Sequence, residues 1–276
     1  MFETSLILNL GAEKPFKLLH ASDTHLTRAD GRDDERKINL AASRSHEFPN
    51  SEANLDCILR AAKKDNATIV YAGDLLDFVS QSNLDAAREF THAADVFACA
   101  GNHEFSLYVG EAFEDAAYRN QSLAKVNACF TNDIRKSVRV INGIKIIALD
   151  NSYYFFENEQ SEFLKAECSE GLPVILLIHV PIYTPELHAL LMENPVRDCA
   201  YLCGTPSSVT ANYPEHRRLQ QTTDEITLET CEFIKHCPAI KCILTGHIHE
   251  PLIAPLRLGL NQYIPGTDTL THITVC

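Results

Sequence analysis

Short apolar runs recur along the chain, and several of them end abruptly in polar side chains. Because these runs are continuous rather than alternating, they are typical of strands that are buried on both faces of a sheet. The residues after them could bind metal: FKLLHAS precedes Asp23, TIVYAG precedes Asp74, DVFACAG precedes Asn102, LPVILLI precedes His179, and AIKCILTG precedes His247. The pattern predicts buried strands whose ends carry chemically active side chains.

Segments with helical periodicity lie between the runs, at 52–64, 84–94, 159–168 and 224–236. Strands that alternate with helices predict an α/β protein. Asn142 and Gly143 separate two β-rich runs, SVRVI and IKIIALD. This dipeptide is a strong signal for a two-residue type I′ hairpin.

The stretch 184–223 differs from the rest because it contains four prolines and little sustained periodicity. A long irregular connection in a compact domain is usually functional or disordered. Because the stretch follows His179 directly, we expect it to border the active site, with a mobile surface insertion as the alternative. We expect one domain over 1–276 with this irregular insertion at about 184–223.

The charge balance restricts the partners. With 24 Lys+Arg against 37 Asp+Glu, the formal net charge is −13. Duplex nucleic acid usually requires a basic surface that neutralises phosphates, so this partner is disfavoured. A phosphate could still be bound locally by divalent cations, which do not appear in a residue count.

The chain shows no signal for a membrane or for secretion. No run approaches the roughly 18 apolar residues that a membrane span needs, and the first ten residues, MFETSLILNL, lack a basic region. We therefore expect a soluble, cytoplasmic protein. Its ten cysteines are predicted to be buried free thiols, since a reducing compartment disfavours disulfides. Cys199 and Cys203 form a lone C-x3-C, which does not make a zinc site.

Five motifs follow the strand-like runs in a fixed order. They are Asp23-Thr24-His25, Gly73-Asp74-Leu75-Leu76-Asp77, Gly101-Asn102-His103-Glu104, His179-Val180-Pro181 and Gly246-His247-Ile248-His249. Carboxylate and amide oxygens combined with imidazole nitrogens suit first-row divalent metals, so the set predicts a binuclear site. Alternating residues of an extended segment point the same way, so D-x-H and H-x-H could each aim two ligands into one cavity if their backbones are extended. The glycines would allow tight turns beside the metals.

These motifs closely resemble the pattern D-x-H, G-D-x-x-[DY], G-N-H-[DE], H and G-H-x-H of the calcineurin-like metallophosphoesterase superfamily, and the resemblance spans about 17–269. It implies a four-layer α-β-β-α sandwich of two mixed sheets with a dinuclear metal site at the strand ends. By the same resemblance, one metal is held by Asp23, His25 and His249, the other by Asn102, His179 and His247, and Asp74 bridges both. His103 is then the general acid and Asp77 holds its orientation.

The resemblance implies hydrolysis of a phosphomonoester or a small phosphodiester by attack of a metal-bound hydroxide. The cofactors would be two divalent or trivalent transition-metal ions, with Mn, Fe, Zn and Ni not distinguished by the ligands. Asp77 replaces the metal-binding Tyr of purple acid phosphatases, and Phe78-Val79 replaces the Arg-Gly of protein phosphatases. A DNA-repair-type nuclease and a non-catalytic metal-binding scaffold for protein interaction remain as alternatives.

Protein partners are not identified, and the expected substrate is a small phosphate ester. Several basic and aromatic residues are weaker candidates for substrate contacts, and a solvated surface is the favoured interpretation of each of them. These are Arg28, Arg32, Arg36, Tyr183, Tyr201, Tyr213 and Arg217.

Overall fold

The computed structural model describes residues 1–110, 115–221 and 223–276. Within these residues the chain forms eleven strands and ten α-helices. The strands are β1 (Phe2–Leu8), β2 (Phe16–Ala21), β3 (Thr68–Tyr71), β4 (Val96–Ala98), β5 (Lys136–Ile141), β6 (Ile144–Leu149), β7 (Val174–Leu177), β8 (Ile240–Leu244), β9 (Leu252–Arg257), β10 (Leu260–Ile264) and β11 (Thr269–Val275). The helices are α1 (Glu35–Glu47), α2 (Ser51–Asp65), α3 (Gln81–Ala93), α4 (Ala116–Asn120), α5 (Leu123–Asn127), α6 (Asn158–Cys168), α7 (Pro185–Met192), α8 (Ser207–Thr210), α9 (Glu215–Gln220) and α10 (Glu225–His236).

The strands form two mixed sheets. The first has the order β1-β11-β2-β3-β4, in which β2, β3 and β4 are parallel neighbours. The second has the order β5-β6-β7-β8-β10-β9, with β6, β7 and β8 parallel. Parallel neighbours end at the same edge of a sheet, so the loops after β2, β3, β4, β7 and β8 can meet at one end of the molecule.

The two sheets pack face to face through buried apolar side chains. This inner layer contains Leu18, Val70, Phe97, Ile146, Ile175, Leu177 and Leu244. Helices cover the outer faces: Ile58 of α2 packs with Ile69 on the first sheet, and Ile234 of α10 packs with Leu176 on the second. The predicted four-layer α-β-β-α sandwich is therefore confirmed. The burial of β3 and β7 explains their continuous apolar runs.

The predicted helices form where local capping chemistry allows them to begin. Ser80 accepts a hydrogen bond from the Asn83 N–H at the start of α3, and Asp224 does the same for Thr227 at the start of α10. These side chains satisfy N–H groups that have no partner inside the helix. The predicted hairpin is also present, since Asn142 and Gly143 have φ of 47° and 80° between β5 and β6.

The segment 184–223 is less irregular than its sequence predicts, because it contains α7, α8 and α9. Thr184 caps α7 and Pro185 occupies its first turn, where proline is well tolerated. The helices are short, which explains why no sustained periodicity is visible.

The ten cysteines are free thiols, and all except Cys57 and Cys276 are buried, as predicted. Across the described ranges, no helix has the length and apolar character that a membrane span needs.

Candidate metal centre

The five motif loops meet at the ends of the parallel strands. The Asp23 N–H donates to the Gly73 carbonyl over 3.0 Å, which ties the loop after β2 to the loop after β3. The His247 N–H donates to both carboxylate oxygens of Asp23 over 3.0 Å and so connects the two sheets. The structure therefore brings the predicted loops together across the sandwich.

The first group of side chains contains Asp23, His25, Asp74 and His249, and one potential ligand atom of each lies within 4.8 Å of the others. His25 Nε2 is 3.1 Å from His249 Nε2 and 3.7 Å from Asp74 Oδ2. Asp23 Oδ1 is 3.5 Å from His249 Nε2. These atoms converge on a volume that one cation could fill.

The second group contains Asp74, His179 and His247, again with ligand atoms within 4.8 Å of one another. His179 Nε2 lies 3.3 Å from Asp74 Oδ2 and 3.2 Å from His247 Nδ1. Asn102 Oδ1 is 3.2 Å from the same His179 nitrogen. Asp74 is thus common to both groups, as a bridging ligand must be.

The proton positions in these groups fit metal ligation. His25 Nδ1 lies 2.9 Å from a carboxylate oxygen of Asp77, and His179 Nδ1 lies 2.7 Å from the Ala72 carbonyl. Both oxygens can only accept here, so each Nδ1 carries a hydrogen, and in the neutral ring that binds a metal the inward Nε2 presents a lone pair. Lone pairs and carboxylate oxygens that face one another within 4.8 Å fit a divalent cation at each group.

The backbone of the ligand triplets is not extended, so the condition under which alternation would aim the D-x-H and H-x-H ligands into one cavity is not met. Asp23 and His25 have φ of 56° and 49°, and His247 and His249 have φ of 71° and 64°. With a left-handed residue at each end, the two ligand side chains of a triplet lie on the same side. In an extended segment, alternation would have the same result. Such conformations are uncommon outside glycine and concentrate at functional sites.

Two glycines allow the loops to approach one another. Gly73 has φ of 84°, and a Cβ there would lie 2.5 Å from the Gly101 nitrogen. A Cβ on Gly101 would collide with the Asp74 carboxylate. A side chain at Gly101 would therefore displace the shared carboxylate, and one at Gly73 would collide with Gly101 and the His179 ring. Both agree with the predicted role of these glycines.

Glu104 is a functional residue to which the sequence alone assigns no role. Its fully buried carboxylate accepts four main-chain hydrogen bonds of 2.6–3.1 Å, from the N–H groups of Asp74, Leu75, Leu76 and Gly101. It therefore joins the Gly73–Asp77 loop to the Gly101–Glu104 loop. Its position inside a recognisable motif is the one sequence signal that could have indicated this.

His103 and Asp77 lie beside the two groups. The His103 N–H donates to Asp74 Oδ1 over 2.8 Å, and its Nδ1 lies 2.8 Å from the Asp77 carbonyl and 3.2 Å from the Asp77 carboxylate. Burial lowers the pKa of His103, but the charges of Asp74 and Asp77 outweigh it and raise the pKa to about 10. His103 is thus held at the edge of the groups with its Nδ1 occupied.

The Asp77 carboxylate has a further partner that the sequence gives no reason to expect. Arg44 of α1 binds it with Nε and Nη2 over 2.6 and 2.8 Å. Phe48, the residue that follows α1 and caps its C-terminus, stacks on the His25 ring with 4.0 Å between the ring centroids. Neither Arg44 nor Phe48 belongs to a motif, so only the fold reveals their contact with the site.

An open cavity of about 940 Å³ lies above the two groups. Its lining includes the ligand-group residues Asp74, Asn102, His247 and His249 with His103, and a second set from other segments, Arg44, Asp115, Arg197, Tyr201, His216, Arg217, Leu219 and Gln220. We call the first set, together with Asp23, His25 and His179, the inner side of the site, and the second set the outer side. The segment 184–223 therefore borders the candidate site, as predicted.

The weaker candidates for substrate contacts divide into two sets. Tyr201 and Arg217 line the cavity. Arg28 instead pairs with Glu52, and Arg32 pairs with Asp30 and Asp85. Arg36 lies over the Tyr108 ring, while Tyr183 and Tyr213 flank His188.

A family model described as calcineurin-like phosphoesterase matches residues 16–251. No curated protein matched the sequence. Among solved structures, a dimetal phosphatase from Danio rerio is 13% identical with a TM-score of 0.51, and the match covers 92% of this chain and 88% of that one.

Two other solved structures match the chain at lower similarity. The phosphopantetheinyl hydrolase of Mycobacterium tuberculosis is 13% identical with a TM-score of 0.47, over 91% of this chain and 90% of that one. A 5'-nucleotidase precursor from Thermus thermophilus is 15% identical with a TM-score of 0.43, over 92% of this chain and 48% of that one.

Proposed function

The chain belongs to the calcineurin-like phosphoesterase family, whose chemistry is metal-dependent phosphoester hydrolysis, and we propose that it hydrolyses a phosphomonoester or a small phosphodiester at two metal ions. The observation that carries this proposal is the sharing of Asp74 by two convergent groups of ligand atoms. One shared carboxylate between two sets of nitrogen and oxygen donors is the arrangement that a binuclear site requires.

In this proposal Asp23, His25 and His249 hold one ion, Asn102, His179 and His247 hold the other, and Asp74 binds both. When bound, the two cations would lower the pKa of a water and offset the charge of the phosphate. The mixture of imidazole and oxygen donors suits Mn, Fe, Zn or Ni.

The chain's own residues supply the remaining chemistry. The main-chain N–H of His103 donates to Asp74 while its ring Nδ1 is bonded to the Asp77 carbonyl, so the ring Nε2 is the atom that can protonate a leaving oxygen. The Asp77 carboxylate is bound by both His25 and Arg44, which fixes the loop that orients His103. General acids of this kind contribute roughly 10²–10⁴-fold to the rate.

The cavity supports a small-molecule ester as the substrate. Its volume of about 940 Å³ falls at the upper end of the range typical of small-molecule sites. The net charge of −13 disfavours binding of a duplex, which usually requires a basic surface, and so disfavours a nuclease. The buried free thiols agree with a reducing compartment such as the cytoplasm.

The test is a hydrolysis panel on chelated protein reconstituted with Mn, Fe, Zn or Ni. p-Nitrophenyl phosphate, bis(p-nitrophenyl) phosphate, a set of nucleotides and a single-stranded oligonucleotide would be compared. We expect metal-dependent turnover of at least one small ester and its loss in Asp74→Asn. Asp95→Asn, at an exposed carboxylate that pairs with Arg139, is the matched control.

The panel also separates the alternatives. Preferred cleavage of the oligonucleotide would replace the small-ester proposal with a nuclease. Stoichiometric binding of two ions without turnover of any ester would favour a non-catalytic scaffold.

A further inference from the structure

Tyr154 makes a contact with the second ligand group that no motif predicts. Its hydroxyl oxygen lies 3.0 Å from His247 Nε2, and its ring meets the His247 ring edge-on at 5.5 Å between centroids. The side chain is 1% exposed and belongs to the loop between β6 and α6. A buried phenol is therefore fixed against a proposed metal ligand.

The direction of this hydrogen bond follows from the ligand geometry. His247 Nδ1 is the ring atom that faces the group, 3.2 Å from His179 Nε2. To bind a cation, Nδ1 must present a lone pair, so Nε2 must carry the hydrogen. Nε2 then donates to the Tyr154 oxygen.

His247 differs in this respect from the other buried histidines of the site. His25 and His179 present Nε2 to the groups and anchor Nδ1 to oxygens of Asp77 and Ala72. His247 uses the opposite nitrogen, and its anchor is a side-chain hydroxyl. A phenol can either donate or accept, so this contact holds the orientation of the His247 ring, and metal binding at Nδ1 selects the tautomer with the hydrogen on Nε2.

The loop that carries Tyr154 also holds the backbone of His179. Asn151 Oδ1 accepts hydrogen bonds of 3.0 Å from the N–H groups of His179 and Val180, and Asn151 Nδ2 donates to the Val180 carbonyl over 2.7 Å. The Tyr154 N–H in turn donates to the Asn151 carbonyl over 3.0 Å. One short loop thus supports both histidines of the second group.

The backbone at Tyr154 is strained, with φ of 66°. A left-handed conformation is a real outlier for a bulky residue and costs on the order of 1–3 kcal/mol. In this conformation the Tyr154 hydroxyl contacts His247. Such strain persists where the surrounding structure enforces it.

From these contacts, and given the two-metal function proposed above, we infer that Tyr154 is a positioning residue for the second metal ion. Its hydroxyl accepts from Nε2 of the metal-binding tautomer and so holds the His247 ring with Nδ1 facing Asp74 and His179.

The first test is Tyr154→Phe, which keeps the ring and removes only the hydroxyl. Loss of such an outer partner typically weakens metal affinity by about 10–100-fold. Calorimetric titration of chelated protein with Mn²⁺ should show that decrease for one ion and no change for the other. Tyr153→Phe is the matched control, since Tyr153 is the adjacent buried tyrosine and its ring packs against Phe105 at 6.1 Å.

Excess metal distinguishes positioning from a general structural role. Turnover of Tyr154→Phe should return toward the wild-type value at saturating Mn²⁺, and its thermal midpoint in the chelated state should match that of Tyr153→Phe. Unchanged affinity for both ions, or equal weakening of both, would overturn the inference.

A second measurement needs no variant. Long-range ¹H–¹⁵N spectra of the zinc-loaded wild-type protein should show His247 protonated at Nε2, and a hydrogen at Nδ1 would refute the assignment. Neither the titration nor the spectra depend on turnover. If the wild-type protein bound two ions but hydrolysed no ester, the proposed function would fail, and the titration would still test the role of Tyr154.

Discussion

The two sides of the cavity differ in how firmly their side chains are held. On the inner side, Asp23, His25 and His179 are 0% exposed, and each lies at the end of a buried strand. On the outer side, α1 and α9 contain no buried residue. Leu219 of α9 is 58% exposed although it lines the cavity.

The difference is also visible in the hydrogen bonds. The inner histidines have a fixed partner on the nitrogen that faces away from the group, such as Asp77 for His25 and Ala72 for His179. Outer residues form exposed ion pairs, such as Arg197 with Glu250, which contribute little to rigidity. We infer that the inner side holds the ligand atoms in fixed positions, whereas the outer side can adapt its contacts to the substrate. We therefore expect a substitution to affect activity more on the inner side than on the outer side.

The largest effect is expected at His103. We expect His103→Asn to bind both ions and to lose roughly 10²–10⁴-fold in turnover, because the proton donor to the leaving oxygen is missing. The loss should be greatest for aryl phosphates with poor leaving groups, measured as kcat/KM across a leaving-group series. His92→Asn, on the exposed end of α3, is the control. Equal loss across the series would refute the acid role.

Glu104 tests whether the inner side depends on its buried anchor. In Glu104→Gln the amide NH₂ replaces an acceptor, so two of the four main-chain N–H groups lose their partner. Each buried donor left without a partner costs about 1–3 kcal/mol. We expect a lower thermal midpoint and about 10–100-fold weaker binding of both ions, since Asp74 is common to the two groups.

The matched control for Glu104 is Glu232→Gln, at an exposed carboxylate of α10 that pairs with Lys235. Calorimetry and thermal unfolding would measure both variants. If Glu104→Gln bound both ions as tightly as the wild-type protein, the inner loops would be rigid without their anchor.

The inner side could be predicted from the sequence because its residues are fixed by local rules. Buried parallel strands appear as continuous apolar runs, and their ends gave the order of Asp23, Asp74 and His247. The left-handed backbone at Asp23 escaped prediction, since D-x-H fits extended and left-handed conformations equally well and only the packing of the loops selects one.

The outer side could not be predicted for a different reason. Arg44 and Phe48 reach the site from a helix with no buried residue, so their pattern is that of an ordinary surface helix. Tyr154 contacts the inner side and also escaped prediction, because it lies in a loop without a motif and its contact with His247 joins positions 93 residues apart. Such contacts depend on long-range packing, which a periodicity in one segment does not encode.

Arg44 lies at the border between the two sides and should give an intermediate effect. Arg44→Gln removes two charge-assisted hydrogen bonds to Asp77, but His25 still binds the carboxylate. Bonds to charged groups contribute about 1.5–3 kcal/mol, and we expect part of this to appear as a loss of about 10-fold in kcat/KM. Arg44→Lys should recover only part of it, because an ammonium cannot bind in the same bidentate way. Full recovery by lysine would show that only the charge matters.

Arg217 should give the smallest effect. Its guanidinium lies over the Tyr201 ring at 4.9 Å, and that ring is 6.0 Å from the His247 ring, so a whole aromatic side chain separates it from the ligands. Arg217 also pairs with Asp198, which reduces the charge that it offers a substrate. We expect Arg217→Gln to raise KM by less than about 10-fold, an interaction of roughly 1 kcal/mol, and to leave kcat unchanged.

Arg218→Gln, at the next position of α9, is the control in the same ester assay. A fall in kcat of about 10-fold or more for Arg217→Gln alone would mean that the outer side takes part in the chemical step, and the division between a geometric inner side and an adaptable outer side would fail.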